Sequence, residues 1–74
     1  MISFELDGEY QIITSKTAKF KVSKVPTHQK PLLVSPSLSD STAKVLRPKE
    51  GEVIETSYKT MWARGNGWTL EAID

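Results

Sequence analysis

The chain has 74 residues, 38% of them hydrophobic, and no cysteine, which is enough for one small core and too little for two. The lack of thiols excludes a disulfide framework, a thiolate zinc site and a cysteine nucleophile. Ten Lys and Arg against nine Asp and Glu leave a net charge of +1, too balanced for charge alone to indicate a nucleic-acid partner.

No run approaches the roughly 18 apolar residues of a membrane span, and Met1 to Glu5 lacks the basic-then-apolar order of a signal peptide. The expectation is a soluble chain made in the cytoplasm with no secretion signal of its own. A core of this size supplies only about 3–5 kcal/mol, so a tightly closed barrel or self-association is expected to support it.

Phe4 to Thr14 reads as two short strands around Asp7-Gly8, a dipeptide that accepts the positive φ of a tight turn, so a hairpin is expected to open the chain. Ala18 to Lys24 alternates apolar and polar residues until Val25 breaks the period. This predicts a strand over Lys19 to Ser23 with Phe20 and Val22 inward. Pro26 to Pro31 is a connector, because each proline lacks an amide donor. Leu32 to Val34 reads as a short buried strand. Ser35 to Thr42 follows as a polar loop with Leu38 pinned against the body of the protein.

Ala43 to Arg47 predicts a strand ending at the turn Pro48 to Gly51, and Glu52 to Tyr58 a further one rich in β-branched residues. Met61 to Ala63 and Trp68 to Ile73 flank Arg64-Gly65-Asn66-Gly67, which has the composition of a hairpin turn. Strand lengths and turn spacing of this kind indicate an all-β sandwich or barrel, and the short chain favours a small barrel of about five to seven antiparallel strands.

Catalysis finds little purchase. His28 is the one histidine, set in a loop between two prolines, with no partner at triad or ligand spacing. Glu50, Glu52 and Glu55 read as a solvated strand face, as do Lys16, Lys19, Lys21, Lys24 and Lys30, which occupy a stretch free of acids. No catalytic residue, metal site or cofactor is expected, and the chain reads as a non-enzyme.

The aromatic residues carry more. Tyr58, Trp62 and Trp68 lie close together around a glycine-rich turn that holds Arg64 and Asn66. Rings beside amide and guanidinium donors suit glycan faces and short peptides, because flat apolar area supplies contact and the polar edge fixes orientation. In a barrel this small a tryptophan usually fills the core. That reading falls first on Trp62, with core and groove left open for Trp68.

The order Leu33-Val34-Ser35-Pro36-Ser37-Leu38-Ser39, then Ala43-Lys44-Val45-Leu46, then Gly51, Val53-Ile54 and a tryptophan resembles bacterial SH3 domains. These are the wall-binding modules of peptidoglycan hydrolases and phage endolysins. Tyr58-Lys59-Thr60-Met61-Trp62 before Gly65-Asn66-Gly67 is also similar to that family's aromatic strand ahead of its last hairpin. The resemblance covers residues 18–74 and leaves residues 1–17 as an N-terminal hairpin extension with no counterpart in the minimal module. Ser35 stands where the family often carries arginine.

The resemblance implies an SH3-like barrel that binds a stem or cross-bridge peptide of peptidoglycan in a shallow groove beside the loop Ser35 to Thr42. Tyr58, Trp62, Arg64, Asn66 and Trp68 would line it, with Ser37 and Asp40 as loop donors or acceptors. It further implies action at the bacterial cell wall, in service of the catalytic chain of a wall hydrolase. Two other readings stay open: a small barrel for single-stranded nucleic acid, and a phage or bacterial structural or inhibitory protein that uses the barrel as a protein interface, with homo-oligomers formed through the opening hairpin.

Overall fold

Period-two alternation decides which way each strand faces. In β8, Asn66–Ile73, residues Trp68, Leu70 and Ala72 are buried and alternate with more exposed neighbours. The same pattern buries Phe20 and Val22 in β3, Lys19–Lys24, and Met61 and Ala63 in β7, Thr60–Arg64. The remaining strands are β1, Ser3–Asp7; β2, Gln11–Thr14; β4, Leu32–Ser35; β5, Lys44–Leu46; and β6, Val53–Glu55. A single 3₁₀ turn spans Asp40–Thr42. The structure, a computed structural model, describes residues 2–28 and 30–73, with Asp40 represented by its backbone.

The protein is all-β, as expected, and its described strands form two antiparallel four-stranded sheets. The first has the order β1-β8-β3-β6 and the second β2-β7-β4-β5. Their inner faces enclose one core, in which Leu6, Ile13, Phe20, Val22, Leu32, Val34, Ile54, Met61, Ala63, Trp68, Leu70 and Ala72 are buried. Phe4, Val25, Leu46 and Tyr58 pack against its margins, and Phe4 meets Phe20 edge-on at 6.4 Å between ring centres. The molecule measures 30 × 27 × 16 Å, its short axis fitting two layers stacked at about 10 Å.

Two expected hairpins are absent, for one shared reason. β1 pairs with β8 and β2 with β7, so β1 and β2 belong to different sheets, and so do β7 and β8. The segments 3–14 and 60–73 form one two-stranded ribbon that folds over at a corner. Gly8, at φ 98°, donates its amide to the carbonyl of Gly65 at 2.5 Å, and the β1–β8 register slips between Glu5 and Asp7. Bulges and bends of this kind are how a strand passes from one sheet to the next. Gln11 ties the bend from β2: its Nε2 donates to the Glu5 carbonyl and its Oε1 accepts from the Asp7 amide, each at 3.0 Å. The N-terminal segment is therefore not an appended hairpin, since β1 completes the first sheet against its central strand β8. The eight strands among the described residues agree with the expected five to seven plus the two of the opening segment.

Other differences are local. The strand expected over Glu52 to Tyr58 is confined to Val53–Glu55, because Thr56 turns the chain: its hydroxyl donates to the Tyr58 carbonyl at 2.8 Å and accepts from the Tyr58 amide at 3.2 Å. Leu38 is 62% exposed rather than pinned down.

Candidate functional site

The inner faces of both sheets are committed to the core, so any binding surface lies on an outer face, at the sheet corner or along a seam. On the second sheet the outward positions follow from the register. Ile12 of β2 lies opposite Trp62 of β7, Trp62 opposite Ser35 of β4, Arg64 opposite Leu33, and Leu33 opposite Val45 of β5. Ile12 and Val45 are each 59% exposed, while Trp62 and Leu33 are half-buried. An aromatic and aliphatic stripe thus crosses all four strands of the sheet. At its end the Arg64 guanidinium lies over the Tyr10 ring, 5.7 Å from the centroid, close enough for a cation–π contact.

Ser35 follows the same outward alternation yet is fully buried, because the loop after β4 folds over it. Its hydroxyl accepts from the Ser37 amide at 3.2 Å, lies 2.9 Å from the Thr42 hydroxyl and donates to the Ser39 carbonyl at 3.3 Å. A residue that seemed only to replace an arginine is thus the anchor that holds the 36–42 loop beside Trp62. The local signal was available: serine next to proline, followed by further hydroxyl residues, is a composition that bonds its own backbone.

The corner adds a concave element. An open cleft of about 390 Å³ is lined by Gly8, Lys30, Pro31, Leu33, Arg64, Gly65 and Asn66, so Leu33 and Arg64 belong to both stripe and cleft. Gly65 permits this shape. A Cβ there would stand 2.6 Å from Trp68 Cδ1, a distance that only glycine avoids at this close approach.

The sequence-derived site residues are therefore brought together only in part. Trp62 and Arg64 sit on the stripe, and Asn66 joins Arg64 at the cleft. Ser37 is exposed on the adjacent loop, its hydroxyl 3.3 Å from that of Thr42. The side chain of Asp40 lies outside the described residues. Tyr58 is elsewhere: it lines a seam cleft with Lys44, Leu46 and Ile54 between β5 and β6. Trp68 is a correction, as is the assignment of Trp62 to the core. Trp68 points inward and is only 3% exposed, whereas Trp62 faces outward. The two lie on opposite sides of the corner at Gly65, which resets the alternation between β7 and β8. Tyr10, Ile12, Leu33 and Val45 were missed: Tyr10 precedes β2, and the outward facing of the three aliphatic residues shows only in the strand register.

A second hollow, of about 200 Å³, is lined by Val25, Pro26, His28, Lys30, Arg47, Pro48 and Trp68. Among the described residues, Trp68 Nε1 is the one buried side-chain nitrogen or oxygen with no hydrogen-bond partner. Leaving such a donor unpaired costs about 1–3 kcal/mol. Among the described residues no group of three or more His, Asp or Glu could hold a metal ion, and no helix is long and apolar enough to cross a membrane. No protein-family model, curated protein or solved structure matches this chain.

Proposed function

We propose that this chain is a non-catalytic binding module that docks on bacterial cell-wall peptidoglycan and takes a stem or cross-bridge peptide along the outer face of the second sheet. The observation that carries the reading is the outward-facing stripe of Ile12, Trp62, Leu33 and Val45, of which Ile12 and Val45 are exposed and Trp62 and Leu33 half-buried. A patch of this kind costs solubility unless it is used, and here it runs beside a cleft with amide and guanidinium donors. An extended peptide offers small side chains to the stripe and carbonyls to Arg64 and Asn66. The wall as the source of that peptide rests on the resemblance of residues 18–74 to bacterial SH3 domains. One such surface binds modestly, so the module serves best when attached to, or repeated along, the catalytic chain of a wall hydrolase, where linkage raises avidity by roughly 10²–10⁴.

The basic stretch supports this choice over nucleic acid. Lys19 lies opposite Glu55 and Lys21 opposite Glu71, so these cations alternate with carboxylates and do not form a row that tracks phosphates.

A second reading has its own support. Ile12 and Val45 lie on β2 and β5, the edge strands of the second sheet, and an apolar edge invites pairing with another chain. Sedimentation of the protein with purified Gram-positive walls at two salt concentrations separates the readings. The proposal expects salt-tolerant pelleting that Trp62→Ala abolishes while the variant stays folded. A defined oligomer with no wall affinity would replace it with the interface reading, and binding to single strands that falls steeply with salt would replace it with the nucleic-acid one.

A further inference from the structure

We infer that the cavity over Trp68 is an anchor for a carboxylate carried on a small apolar group, the chemistry of a free peptide C-terminus. This extends the wall-peptide reading and rests on it for the identity of the peptide, although the anchor itself does not depend on it. Three observations converge. The walls are apolar, formed by Val25, Pro26, Pro48 and the Trp68 ring. Among the described lining residues the charged or titratable ones are His28, Lys30 and Arg47, with no acid, and the exposed Lys30 makes the potential at the mouth favour an anion. Trp68 lines the same cavity, and its indole N–H, buried and without a hydrogen-bond partner among the described residues, is a donor that such a ligand would satisfy.

Lys30 also lines the corner cleft with Leu33 and Arg64. A peptide lying across the stripe can therefore end with its carboxylate at Lys30 and its terminal side chain in the cavity. Terminal carboxylates are commonly captured in this way, by a few convergent donors. The indole nitrogen is closed to water as well as unpaired, so binding includes a local opening of the cavity around the ring.

The test follows the Trp68 indole N–H signal in proton–nitrogen correlation spectra of the full chain during titration with acetyl-alanyl-alanine, its carboxamide and inorganic phosphate. The acid is expected to move that signal. The carboxamide, and the acid with Lys30→Gln, should bind roughly tenfold more weakly, the loss of about one charge-assisted contact. Lys30 is exposed, so its variant retains the fold; Arg47→Gln supplies an independent check. Equal binding of acid and carboxamide, an unmoved indole signal, or a response to phosphate alone would overturn the anchor. An acid-specific shift in a protein that ignores cell walls would leave the anchor standing and remove the wall reading. Wall pelleting with an unmoved indole signal would do the reverse.

Discussion

The two sheets share a core but differ on their outer faces. Across the first sheet the outward face is mainly polar and charged, with Ser3, Glu5, Lys19, Lys21, Glu55, Thr69 and Glu71, and its apolar members Val53 and Ile73 lie opposite Lys21 and Lys19. Across the second, beside Thr14, Thr60 and Arg64, it holds Ile12, Trp62, Leu33 and Val45, one apolar residue on every strand. Folding requires an apolar inner face and asks little of the outer one, so the charged face is what solvation alone produces. The apolar one needs another cause, and the proposed binding would supply it.

That contrast can be broken at four points, taken from the largest expected effect to the smallest. Trp68→Ala removes an inward ring and should cost about 3–5 kcal/mol, comparable to the whole stability expected of a domain this small. Urea denaturation should find it unfolded, with Trp62→Ala still folded under the same conditions. Gly65→Ala places a methyl 2.6 Å from Trp68 Cδ1 and should cost about 1–3 kcal/mol by overpacking, read from the same curves. Ser35→Ala leaves the Ser37 amide without its 3.2 Å acceptor. It should cost about 1–2 kcal/mol and, in hydrogen exchange, release the 36–42 loop before the sheets. Lys21→Gln, on the charged face, should change stability by less than about 1 kcal/mol and leave wall pelleting unaltered.

Much of the fold was legible, because alternation is a local signal. Phe20 and Val22 face inward as their period requires, and a strand does run through Trp68 to Ile73, whereas Met61 and Ala63 fill the core where the reading had placed Trp62. The corner was not legible. Asp7-Gly8 and Gly65-Asn66-Gly67 carry the composition of hairpin turns, and both do reverse or bend the chain. Whether the flanking strands pair with each other or cross to different sheets is decided by partners far away in sequence, such as Phe4 with Leu70 and Thr14 with Thr60. That one ambiguity exchanged the roles of Trp62 and Trp68, since it sets which side of the corner faces the core. At the candidate site Arg64 and Asn66 were legible as polar donors beside a glycine-rich turn, and Trp62 was singled out as an aromatic but read first as core. Ile12, Leu33 and Val45 escaped because an aliphatic residue in a strand looks like core until the register shows it facing outward.

The most direct test is a backbone amide shift map of the folded protein on titration with soluble peptidoglycan fragments. The account predicts movement at Ile12, Leu33, Val45, Trp62 and Arg64, with Lys19, Lys21 and Glu71 quiet. Shifts concentrated on the first sheet's charged face, or none at saturating fragment, would contradict it.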